Sequence, residues 1–138
     1  MKIKSTLIHE RIKFAYIRKH PLFDQLDEIQ LGQICSKAKL VKLKRNTPFM
    51  LNNDPASRVF FLAGGTAKLV SLNPSGDDSV KNILVDSDIF GDYSFEGLHL
   101  DGYVSGLRPN TYMFYFTTAE LKKILQNNHR MLLNYAEA

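Results

Sequence analysis

The sequence predicts a mainly β protein with helices at both ends. Three observations carry that reading. Apolar residues recur at helical spacing near both termini. Between residues 40 and 116 they alternate or run in short blocks. Turn-forming Gly, Pro, Asn and Asp separate those blocks at intervals of about 8–12 residues, the spacing of a sandwich or barrel. The 138 residues suit one domain. A chain of this length buries roughly two thirds of its unfolded surface and requires no disulfide or metal staple.

Residues 5–19 are expected to be helical, because Leu7, Ile8, Ile12, Ala15 and Tyr16 repeat at helical spacing with Lys and Arg between them. Pro21 interrupts. A second helix is expected from Asp27, whose pairing with Gln30 makes a capping box. Its apolar stripe is Leu31, Ile34, Cys35 and Ala38, which makes Cys35 a small core residue rather than a reactive thiol. From residue 40 the period changes. "LVKLKR" alternates apolar and basic residues, "TPFML" follows, and "NNDPAS" is a turn. "RVFFLA" is a short apolar strand that ends at Gly64 and Gly65, where the backbone can turn. "TAKLVSL" and "SVKNILV" flank "NPSG", a turn with Pro second and Gly fourth. "YVSGL" and "TYMFYF" are strands separated by "RPN". Thr117 and Glu120 form a second capping box, before the apolar face Leu121, Ile124 and Leu125. "HRMLLNYAEA" begins a further helix with Met131, Leu132 and Tyr135 on one side.

Charge is zoned. Net charge is +4, yet residues 1–20 carry six Lys or Arg against Glu10 alone, and residues 36–46 carry five with no acid. Residues 77–101 carry seven of the fourteen acids, and Lys81 is their only Lys or Arg. The basic zones are read as a solvated helix and a solvated strand face. No apolar run approaches the ~20 residues of a membrane span, and the N-terminus lacks a signal peptide's apolar core and cleavage site, so the cytoplasm is the expected location. Cys35 is the only cysteine, which excludes an internal disulfide and a thiolate-held metal cluster.

The order of these elements has a known match. "HPLFDQLDEIQLGQI", "NNDPASRVFFLAGGTAKLV", "NPSGDDSVKNILVDSDIFGD" and "LRPNTYMFYFTTAELKKIL" follow one another as in the cyclic-nucleotide-binding sensor domain of the Crp/Fnr (catabolite activator) family of bacterial transcription regulators, which the chain resembles over about residues 20–138. The resemblance implies a double-stranded β-helix, a jelly-roll barrel flanked by N- and C-terminal helices. It implies a single cyclic-nucleotide-binding-like domain over 1–138. Within it, 1–20 is an N-terminal helix, 21–38 a second helical segment, 39–116 the β-roll, and 117–138 C-terminal helices that start a dimerisation helix. Homodimerisation through that helix is the expected assembly.

The family's phosphate-binding cassette begins Phe-Gly-Glu. A short helix follows, and then an Arg that pairs with the cyclic phosphate. Here Phe90, Gly91 and Asp92 stand in the first three places. Asp92 keeps the carboxylate with one methylene less reach. Where the Arg belongs, the chain has Leu100, Asp101 and Gly102. Arg108 lies too far along and is read as a turn residue. The candidate ligand pocket is therefore Phe90, Gly91, Asp92, Tyr93, Ser94, Leu100 and Asp101, with Tyr93, Phe95, Leu98 and Leu100 as apolar filling, or with Tyr93 and Phe95 simply as core residues. A cyclic nucleotide would bring negative charge into an acidic zone, which amides of Tyr93 and Ser94 only partly offset, so binding in the family's usual mode is not expected.

A jelly roll can also be a metal-dependent enzyme. That needs His and Glu ligands grouped on neighbouring strands, and His9, His20, His99 and His129 are not so spaced. His99 and Cys35 are no better placed as haem ligands. No nucleophile elbow, phosphate loop or Cys-x-x-Cys occurs, so no cofactor is assigned and an enzyme is not expected. No helix-turn-helix is legible, so DNA is a partner only if such a domain lies outside this chain. Two readings stay open: a sensor of a small-molecule effector, or a dimerising scaffold whose pocket is filled by its own side chains.

Overall fold

Strand β3 (Arg58–Gly64) shows how the chain is built. Val59 and Phe61 point to one face, Phe60 and Leu62 to the other, and all four are buried. Because both faces are covered, RVFFLAG reads as a near-continuous apolar run instead of an alternation.

The structure, a computed structural model, describes residues 2–52, 54–72, 75 and 78–137, with side chains from residue 10 onward. The other strands are β1 (Lys39–Leu43), β2 (Phe49–Met50), β4 (Ala67–Leu72), β5 (Asp78–Leu84), β6 (Ile89–Gly91), β7 (Gly102–Gly106) and β8 (Thr111–Thr117). They form two antiparallel sheets, ordered β1-β8-β3-β6 and β2-β7-β4-β5. This interleaving is the strand order of an eight-stranded jelly roll, the fold class expected from the sequence. Leu43, Phe60, Leu62, Phe90 and Met113 of the first sheet meet Ala67, Leu69, Leu84 and Val104 of the second, so one core lies between the sheets. A second core lies on the outer face of the first sheet, where Val59, Phe61, Phe114 and Phe116 pack under helices. Gly65 turns the chain from β3 into β4 at φ +93°, where a Cβ would fall 2.7 Å from the Thr111 Cα. The turn expected at "NPSG" lies outside the described residues except for Ser75.

The helices are α1 (Lys2–Ile17), a 3₁₀ turn at Pro21–Phe23, α2 (Glu28–Cys35), α3 (Thr118–Gln126) and α4 (His129–Ala136). Both capping boxes form, at Asp27 with Gln30 and at Thr117 with Glu120. Two helix faces differ from expectation. In α1, Ile12 and Ala15 are exposed and Tyr16 is half-buried, while Lys13 and Ile17 are buried. The long Lys13 stem lies along the core and its ammonium reaches the Ala38 carbonyl at 3.3 Å, which a polarity pattern cannot foresee. In α4, Met131 joins the outer core and Tyr135 packs against it. Leu132 and Leu133 are the exposed apolar residues there.

One buried cation has no counter-ion among the described residues. Arg58 lies at one end of the inter-sheet core, with its guanidinium over the Phe49, Phe60 and Tyr115 rings at 5.0–5.6 Å. It donates to the Leu51 carbonyl at 3.1 Å. Three ring faces offset part of the desolvation cost. Arg58→Met, which keeps the apolar stem, is expected to leave the thermal midpoint unchanged or raise it. Arg58→Ala is expected to cost on the order of 2–4 kcal/mol in urea unfolding by opening a cavity.

Candidate functional site

The wall of the site is set by Gly91. Its φ is +91°, and a Cβ would lie 2.6 Å from the Arg58 carbonyl oxygen and 2.8 Å from the Phe60 ring. The close approach lets Phe90 stack on Phe60 at 5.0 Å and turns the chain out of β6. Beyond it no short helix forms. Residues 92–101 are turns and irregular chain, with Phe95 and Gly97 at φ +58° and +76°.

Asp92 organises this loop. It is fully buried. Its carboxylate accepts from the backbone N–H of Glu96 at 2.9 Å, Gly97 at 3.0 Å and Leu98 at 3.1 Å, and from the Thr118 hydroxyl at 2.9 Å. Burial pushes its pKa up, but the Leu98, Thr118, Glu96 and Gly97 donors outweigh burial and hold it below the usual carboxylate value. Three loop amides, those of Glu96, Gly97 and Leu98, therefore already hold this chain's own anion, while the Tyr93 and Ser94 amides expected to meet a ligand are not among them.

The same loop is fastened to the C-terminal helices. Thr118 opens α3. The Tyr135 hydroxyl of α4 donates to the Tyr93 carbonyl, and its ring stacks on Phe95 at 5.5 Å and 9°. That stacking helps to offset the left-handed backbone at Phe95, which costs about 1–3 kcal/mol in a bulky residue. Burial, and then the nearby Asp92 charge, push the Tyr135 hydroxyl up to about 12, so it remains a donor.

In front of the loop is a cavity of about 440 Å³, floored by Leu69, Leu84, Phe90 and Leu100 and walled by Gly91, Tyr93 and Lys81. A smaller one of about 220 Å³ adjoins it, with Ser71, His99 and Asp101 at its edge. Leu69, Lys81 and Leu100 line both. Of the expected pocket residues, Phe90, Gly91, Tyr93, Leu100 and Asp101 thus reach a cavity. Asp92 and Ser94 line neither, because the Asp92 carboxylate turns into its own loop and Ser94 faces solvent. The expected apolar filling is not assembled either. Tyr93 and Leu98 are largely exposed, Phe95 turns away to Tyr135, and Leu100 lies on the floor. Arg108 is exposed in the turn after β7 and touches neither cavity.

Two polar groups escaped the sequence. Lys81 is the cation that lines both cavities, and it lies outside the cassette in which the family pattern places an Arg. His20 is buried, and its Nδ1 accepts from the Leu22 N–H at 3.1 Å. Its Nε2 lies 3.2 Å from the Ser87 carbonyl and therefore carries the proton. Burial pulls its pKa down to about 4, against smaller raising effects of Ser87 and Asp24. Burial pushes the Cys35 thiol up to about 11, as befits a core residue. Among the described residues no three His, Cys, Asp or Glu groups stand together as a metal site, and no helix is long and apolar enough to cross a membrane.

No protein-family model and no curated protein sequence matches the chain. Solved structures do. The sensor domain of the transcriptional regulator DNR from Pseudomonas aeruginosa is similar with a TM-score of 0.66 at 20% identity, over 91% of this chain and 84% of that one. The N-terminal domain of a transcriptional regulator from Streptomyces coelicolor A3(2) has a TM-score of 0.60 at 20% identity, over 88% and 85%. The Thermus thermophilus catabolite activator protein has a TM-score of 0.61 at 15% identity, over 85% of this chain and 55% of that one. At these identities the likeness establishes the fold, that of cyclic-nucleotide-binding-like sensor domains.

Proposed function

We propose that this chain, which has the fold of Crp/Fnr-type sensor domains, is a non-catalytic regulatory domain with a small-molecule pocket that has departed from the cyclic-nucleotide consensus. One observation carries the reading: the loop that walls the cavity through Tyr93 is bonded to both C-terminal helices, through Asp92 to Thr118 and through Tyr93 and Phe95 to Tyr135. A ligand that prefers one arrangement of this loop biases the packing of α4. The Leu132 and Leu133 side chains on α4 then offer apolar surface to a second copy of the chain, and through it the state of the pocket reaches a partner. Neighbours that are domains of transcriptional regulators, one of them a sensor domain, support a role in signal-dependent transcription, in the cytoplasm. The scaffold alternative needs a pocket plugged by Tyr93, Phe95 or Leu100, and an open cavity of about 440 Å³ favours the sensor.

The departure from the consensus follows from the anion already in place. Calorimetric titration with cyclic AMP, and with cyclic GMP in parallel, is expected to give no saturable heat at about 1 mM ligand. Binding at about 1 μM would mean that the amides of Glu96, Gly97 and Leu98 exchange Asp92 for phosphate, and the reading of a departed pocket would be wrong.

A further inference from the structure

The pairing of β4 with β5 is regular except at one place. Leu69 faces Asn82 and Val70 faces Val80, so Lys81 is an extra residue in β5. A bulge of this kind re-aims a side chain, and Lys81 lines both cavities from their shared wall. Asn82, its neighbour, lines the larger one beside it. Among the described residues Lys81 forms no ion pair. The acids at the cavity rims are engaged elsewhere: Asp88 accepts from the Val85 N–H at 2.8 Å, and Asp101 from the Asn52 amide at 3.3 Å. The floor between is apolar, from Leu69, Phe90 and Leu100.

We infer that the site takes a small amphipathic carboxylate: an apolar body on the Leu69–Phe90–Leu100 floor, ended by one carboxylate held by the Lys81 ammonium and the Asn82 amide. This rests on the reading of the cavity as the ligand site of a sensor. A carboxylate has two oxygens, which one ammonium and one amide N–H can satisfy. The Glu96, Gly97 and Leu98 amides, which could otherwise hold a phosphodiester, are occupied by Asp92. A doubly charged ligand would meet Asp88 and Asp101 with only one cation to offset them.

The test compares 2-naphthoate with 2-naphthalenemethanol, two probes of one apolar shape that differ in charge, by calorimetric titration of the native chain. Naphthoate is expected to bind at least about tenfold more tightly than the alcohol. Lys81→Met is expected to weaken naphthoate by about tenfold and leave the alcohol unchanged, while Lys81→Arg keeps the preference. Lys81 is solvent-exposed in an edge strand, so these variants spare the core, and their thermal midpoints check that. Equal binding of acid and alcohol to the native chain, or an unchanged preference in Lys81→Met, would overturn the carboxylate assignment and leave the sensor reading standing. Saturable binding of neither probe would overturn both.

Discussion

Asp92→Ala is expected to cost on the order of 3 kcal/mol in denaturant unfolding and to free the 92–98 loop from α3 and α4. The substitution removes one buried carboxylate, but it orphans four donors: three backbone N–H groups and the Thr118 hydroxyl. Bonds to a charged acceptor are the strong ones, and water recovers only part of them once the loop lifts. Hydrogen exchange separates this from a general loss of packing. Protection is expected to vanish at Glu96, Gly97 and Leu98 while Phe61 and Phe114 of the outer core keep theirs. Retained protection at those three amides would refute the account. Asp92→Glu is expected to fail as well, because the extra methylene carries the carboxylate past amides only four to six residues along the chain. The sign with pH follows from the depressed pKa. Asp92 contributes stability above its unfolded value of 3.8, and that contribution is lost as pH falls through the lower folded value.

On the proposed sensor reading, the same four bonds bear on signalling. A pocket whose wall is held only by backbone would transmit little, since a ligand shifts an equilibrium only as far as its affinities for two arrangements differ. Here the wall has a second attachment at Tyr135, whose ring and hydroxyl hold Phe95 and the Tyr93 carbonyl. A ligand that shifts the Tyr93 backbone would therefore pull on its carbonyl's bond to Tyr135 in α4.

What the sequence shows of this fold is what local chemistry decides. The two capping boxes are legible because each is closed within four residues, and the strands of the β region are legible because their apolar blocks are cut by turn residues. The interleaved strand order is not, since pairs such as β3 with β8 join residues far apart in the chain. Strand β6 escapes notice because it is three residues long, with Gly91 at its end. The role of Asp92 had a faint signal in the exchange of Glu for Asp: the shorter side chain reaches its own loop instead of a ligand. Lys81 had none, because its place in the cavity lining depends on strand pairing that the sequence does not show. The α1 face departs from the polarity pattern because Lys13 buries its stem, and polarity alone places it outside.

Mild acid is expected to destabilise the fold through His20. Its ring packs edge-on against Phe61 and Phe114, at 5.3 and 5.6 Å, and ties the end of α1 to the Ser87 turn that leads into the cavity wall. The folded pKa near 4 lies below the ordinary 6.5, so above pH 6.5 both states are neutral and the full stability is present. As pH falls from 6.5 toward 4 the unfolded chain takes up a proton that the native chain refuses, and stability drops by roughly 3 kcal/mol in all. The thermal midpoint is therefore expected to fall between pH 7 and 4.5, before Asp92 titrates. His20→Gln should start lower at pH 7, having lost the ring contacts, yet show a flatter profile over that window. An equal slope in the variant, or a His20 ring that titrates near 6.5 by NMR, would remove His20 as the cause. Protonation places a hydrogen on Nδ1, which can then no longer accept from the Leu22 N–H, while the Nε2–H bond to the Ser87 carbonyl is kept.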